Sequence, residues 1–85
     1  MTKQLELFPD DIRIERIDPD RNMRRFYRMH IQPDLFGGVT LIKVWGRIGT
    51  MGRQRTEAFD DAGRAVDALL VHLKAKQRRG YGHGP

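Results

Sequence analysis

Leu41-Ile42-Lys43-Val44-Trp45-Gly46-Arg47-Ile48-Gly49-Thr50-Met51-Gly52 is the stretch that decides how this chain folds. Its alternating character reads as a β-strand, in which successive side chains point to opposite faces. Its closing glycines read as a hairpin loop of about four residues, Gly49 to Gly52. On such a strand Ile42, Val44 and Ile48 point one way, and Lys43, Trp45 and Arg47 point the other. If the Trp45 side faced the interior, two cations would be buried with it, which is costly unless each is paired. The expected arrangement therefore leaves Trp45, the only tryptophan, at an open or rim position; a bulge would reverse it. Gly46 removes a side chain beside it, so another backbone or a ligand can approach closely. An aromatic plate between two cations suits phosphate, sugar and base contacts.

Upstream, Arg25 to Gln32 reads as a strand with Tyr27, Met29 and Ile31 on its apolar face and Phe26, Arg28 and His30 opposite. Ile12 and Ile14 alternate with Arg13 and Glu15 in a further short strand. Asp18-Pro19-Asp20-Arg21-Asn22 and Pro33-Asp34 through Gly37-Gly38 carry turn chemistry. Downstream, Arg53 to Phe59 returns as a fourth strand. From Ala62 to Lys76, Ala62, Ala65, Val66, Leu69, Leu70 and Leu73 recur at three- and four-residue spacing, the stripe of an amphipathic helix. Asp60-Asp61 supplies its N-cap and Gly80 its stop, and Tyr81 is placed to pack back on the core.

Strands followed by one helix predict an α+β domain: a small antiparallel sheet of about four strands with the helix packed on one face. The helix is expected to cover Ile42 and Val44 together with Tyr27, Met29 and Ile31, leaving the Trp45 face at least partly open. Residues 1–10 are expected to form an N-terminal arm, 11–81 the domain, and 82–85 a flexible tail.

Size and composition exclude several classes of function. A chain of 85 residues buries only about 60–65% of its unfolded surface, enough for one core and too little to enclose a large cofactor, so no cofactor is expected. There is no cysteine, hence no disulfide and no thiolate metal site, which fits a reducing compartment. His30, His72 and His83 are far apart in sequence, and a metal site needs converging ligands, so none is expected. No run approaches the roughly 20 apolar residues of a membrane span. The first residues lack the apolar block of a signal peptide. A soluble, cytoplasmic monomer without a membrane partner is expected.

Gly46-x-x-Gly49-x-x-Gly52 resembles a phosphate loop only superficially, because a strand and not a helix follows it. Asp60 and Asp61 are explained by helix capping, and no catalytic constellation is visible, so the chain is not expected to be an enzyme. Charge is more informative. Residues 1–42 balance seven cations against seven carboxylates, whereas residues 43–85 carry nine cations against four. The whole excess of +5 therefore begins at Lys43, a one-sided basicity that suits a polyanionic partner.

The chain resembles the WGR domain family. The matching core is Trp45-Gly46-Arg47-Ile48-Gly49-Thr50 with Gly52 following, flanked by Phe26-Tyr27, Phe59, Lys76 and Gly80-Tyr81. The resemblance covers roughly residues 12–81. Two departures are Val44, where the family often has a polar or basic residue, and Arg53 before Gln54, where it often has Gln directly. The resemblance implies a sheet with one helix, no activity of its own, and use as a nucleic-acid-binding or interaction module. In poly(ADP-ribose) polymerases such a domain helps grip DNA breaks; carried over, its tryptophan and arginine roles fall on Trp45 and Arg47.

The expected partner is DNA, with ends or breaks as one form and RNA as another ligand that backbone contacts and stacking would tolerate. The expected contact residues are Lys43, Trp45, Gly46, Arg47, Arg53 and Arg55 on the sheet, and Lys74, Lys76, Arg78 and Arg79 at the helix end. The alternative is a protein–protein interaction module using the same Trp45 and Arg47 face, since Trp and Arg are enriched among interface hot spots.

Overall fold

A computed structural model of the chain describes residues 11–82. Four strands, β1 (Asp11–Asp18), β2 (Met23–Pro33), β3 (Val39–Arg47) and β4 (Arg53–Phe59), form one antiparallel sheet in the order β1-β2-β3-β4. Helix α1 (Ala62–Arg78) packs across one face. The molecule is therefore α+β, as the sequence predicts. The expected arm at residues 1–10 and the last three residues of the tail lie outside the described part.

The connections follow local chemistry. Pro19 presets the short helical turn Pro19–Arg21 between β1 and β2, and Asn22 takes a left-handed conformation at its end, φ 52°. Between β2 and β3 the Asp34 carboxylate accepts hydrogen bonds from the Phe36 and Gly38 amides at 2.7 and 3.0 Å. Asp61 caps α1, its side chain accepting from the Arg64 amide at 2.9 Å. The other end closes with the Gly80 amide donating to Gln77 and the Tyr81 amide to Lys76, around Gly80 at φ +97°. The chain then turns back, so that Tyr81 packs on the core and Gly82 exchanges two backbone hydrogen bonds with Glu15 on β1. Gly82, expected to fray, is thus tied to the sheet.

One expectation is overturned. Residues opposite each other across a ladder share a face, and the register pairs Tyr27 with Trp45, Met29 with Lys43, and Ile31 with Leu41. Trp45 and Lys43 therefore lie on the helix-covered face with Tyr27 and Met29, and Ile42 and Val44 lie on the open face. The prohibition against burying a cation is met by pairing. Lys43, only 5% exposed, sits 3.1 Å from Glu57 and 3.4 Å from His72 Nε2 beneath the helix. Arg47, the last residue of β3, remains exposed.

The core is formed by Ile14, Tyr27, Met29, Leu41 and Leu69, with Ala65 also buried. Of the helical stripe, Ala65 and Leu69 are buried and Leu73 packs at the margin, whereas Leu70 is turned outward. On the open face Phe26 is 5% exposed without helix cover. The Arg13 guanidinium lies over its ring at 4.6 Å, and the returning hairpin presses against its edge at Gly52.

Candidate nucleic-acid interface

The register sorts the helix-covered face into rows that cross the sheet. Next to the Asp18–Met23 pair at the β1–β2 turn comes the row Arg16, Arg25 and Arg47, directly opposite one another on three strands. The next row is Ile14, Tyr27, Trp45 and Arg53. Over this second row, in the last turn of α1, the Lys76 ammonium lies 4.5 Å above the Tyr27 ring. A cleft of about 570 Å³ opens where that turn meets the sheet.

Aromatic rings line the cleft. Tyr27 and Trp45 stack with centroids 5.8 Å apart and planes 16° from parallel. Tyr81 meets Tyr27 edge-on at 6.4 Å. Such pairs are held by ring quadrupoles as well as by burial, which fixes the indole beside Gly46. Five cations surround the rings: the Arg16, Arg25 and Arg47 row from the sheet, and Lys76 and Arg79 from the helix end. Among the described residues no carboxylate lines this cleft.

Like charges directly opposite across strands repel, so the arginine row is an arrangement that a bound anion relieves. Lys76 feels the same crowding. Burial first, then the nearby Arg79 and Lys43 charges, lower its pKa below the ordinary lysine value. Burial, followed by the Glu57 charge, raises that of the Tyr27 hydroxyl, which therefore stays protonated at neutral pH. At Glu57, burial works to raise the pKa, but the hydrogen bond and charge of Lys43, with the charge of His72, hold it below the usual carboxylate value.

Of the residues expected to make contacts, the cleft gathers Trp45, Gly46, Arg47, Lys76 and Arg79. Lys43 faces inward as half of an ion pair. Arg53 and Arg55 are exposed on β4, in register with Trp45 and Lys43 but outside the cleft lining. Lys74 and Arg78 are exposed on α1 and also lie outside it. Arg16, Arg25, Tyr27 and Tyr81 are cleft residues that the sequence reading did not assign as contacts. The alternation carried a signal for two of them: Arg16 lies two residues after Ile14, and Arg25 two before Tyr27, so each continues an apolar face into a cation.

The three glycines of β3 and its hairpin are structural. A Cβ on Gly46 would sit 2.7 Å from the Gly52 Cα, so the close approach at Gly46 is by the hairpin's own backbone. Gly52, at φ +73°, leaves no room for a Cβ against the Trp45 carbonyl. No helix among the described residues is long and apolar enough to cross a membrane.

Comparison with known proteins places the chain in a family. The WGR domain profile matches residues 10–84. An uncharacterized protein of Sinorhizobium fredii, y4dW, is 45% identical over 73 residues, which is 86% of this chain and 36% of that protein. The chain thus spans little more than a third of that relative's length. No solved structure matches it significantly. With the profile matched along nearly its whole length, this chain belongs to the WGR domain family, a family of nucleic-acid-binding modules.

Proposed function

We propose that this chain is a non-catalytic module that binds DNA in the cleft at the C-terminal end of α1. The row Arg16, Arg25 and Arg47 contacts phosphates, Lys76 and Arg79 face the same strand from the helix side, and Trp45 packs against an exposed sugar or base. The observation that carries this reading is the convergence of five cations and three aromatic rings on one cleft with no carboxylate among its lining residues. Single-stranded segments and frayed ends fit it best, because stacking on an aromatic ring needs an unstacked base.

Titration with short single-stranded, nicked and blunt-ended DNA, read by the emission of the lone Trp45 and by anisotropy of labelled DNA, tests the reading. Binding that shifts Trp45 emission and weakens with salt supports it. An indole signal indifferent to DNA, with no anisotropy change at low salt, removes it. RNA of the same sequence is the control for sugar preference. A protein partner at the same face remains the competing reading; it calls for weak salt dependence and co-purification of one partner after nuclease treatment.

A further inference from the structure

The hairpin between β3 and β4 carries an apolar side chain that packing does not explain. Met51 is 92% exposed, yet the loop that presents it is firmly built. The Thr50 amide and hydroxyl both donate to the Arg47 carbonyl, at 3.0 and 2.8 Å. The Ile48 amide donates to the Arg24 carbonyl at 2.9 Å. Gly49 and Gly52 take positive φ, and Gly52 is wedged between the Gly46 backbone and the Phe26 ring. Hydrogen bonds and close packing on both sides thus build the loop that presents Met51 to water. It lies between Arg47, which lines the cleft, and Arg53, and it projects at the cleft end of the sheet. Among the described residues the other almost fully exposed large apolar side chains, Leu35 and Phe36, sit on the β2–β3 loop at the opposite end.

An exposed apolar side chain on a well-built hairpin, flanked in sequence by two cations at the cleft end of the sheet, has a physical use. Proteins insert such wedges between base pairs, offsetting the loss of stacking with new contacts. We propose that Met51 is a wedge that opens the base step next to the nucleotide held in the cleft; this rests on the DNA reading above. The flanking Arg47 and Arg53 would hold the phosphates on either side of the opened step, and the unstacked base would be free to reach Trp45. The wedge acts where one step separates cheaply, at the frayed end of a duplex or beside a nick, and supplies the cleft with the unstacked base it needs.

The test uses a short duplex with 2-aminopurine at the penultimate base pair, a probe whose emission rises when it unstacks, together with anisotropy to report binding separately. Wild-type protein should raise the probe's emission on binding. Met51→Ala should bind this duplex about fivefold more weakly, the low end of what one base contact contributes, and should lose the rise. It should bind single-stranded DNA unchanged, because no step remains to be opened. Met51→Leu should restore the rise. An unchanged melting temperature is expected for Met51→Ala, since the side chain is solvent-exposed. A Met51→Ala variant that raises the emission as wild type does, or wild-type binding with no rise at all, overturns the wedge while leaving cleft binding intact. Absence of any anisotropy change overturns the cleft reading and the wedge with it.

Discussion

At the scale of single residues, Trp45 and Lys43 show how pairing decides which way a strand faces. Trp45 stacks on Tyr27 and borders the cleft, so Trp45→Ala is expected to remove a nucleic-acid contact of about 1–3 kcal/mol and also to loosen the Tyr27 ring. Comparing DNA affinity with melting temperature for Trp45→Ala and Trp45→Phe separates the two effects: the phenylalanine should recover most of the stability. Lys43 is held by Glu57. Glu57→Gln leaves a buried ammonium without its counter-charge, and a loss of about 2 kcal/mol is expected, below the cost of breaking a fully buried pair because Glu57 is partly solvated. The pair also sets a pH dependence. The folded-state pKa of Glu57 is depressed, so its contribution is present above the unfolded carboxylate value and is lost as pH falls through the folded one. Thermal melts of wild type and Glu57→Gln should therefore converge in acid. Lys76 runs the other way in binding. Its lowered pKa means that its charge is lost at a lower pH than an ordinary lysine's, and a phosphate would draw the proton back. DNA affinity should then fall on raising pH through the alkaline range, and Lys76→Arg should flatten that fall.

At the scale of elements, boundaries were legible and facing was not. The turn residues at 18–22, the glycines at 37–38 and 49–52, the Asp61 cap and the Gly80 stop each act through local backbone chemistry, and each sits where the sequence puts it. Asp61→Ala should cost about 1 kcal/mol through the lost cap, measured by denaturant melts. The face of β3 was different. Lys-Val-Trp-Gly-Arg alternates equally well in either orientation, and the choice depends on Glu57 and His72, 14 and 29 residues away from Lys43. No local pattern states that a buried lysine has a partner at such distances. The same gap hid Arg16 and Arg25. Each was visible as a cation on an apolar alternation, but that they stand side by side with Arg47 follows only from the register of two ladders.

At the scale of the whole molecule, the two clefts of the sheet differ in the sign of the charges that line them. The cleft end gathers Arg16, Arg25, Arg47, Lys76 and Arg79, while Asp34 and Asp60 lie at the cleft beside the β2–β3 loop. Five cations lining one cleft without a carboxylate among them make a local positive field suited to a polyanion. The sequence located the excess in the second half of the chain, yet two of the three arginines in the row come from the half that is neutral overall, where carboxylates elsewhere cancel them only on paper. Counting charge along a chain measures how much there is; the fold decides where it acts.

The most direct test of this account is the salt dependence of DNA binding, measured for wild type and for Arg16→Gln, Arg25→Gln and Arg47→Gln. With the five cleft cations on phosphates, log K should fall against log salt with a slope of about −4, and each arginine removed should make the slope shallower by about one. Lys74→Gln and Arg78→Gln, outside the cleft, should leave it unchanged. A slope that ignores the arginine row and responds to Lys74 or Arg78 instead, or no binding at low salt, would contradict the assignment of this cleft.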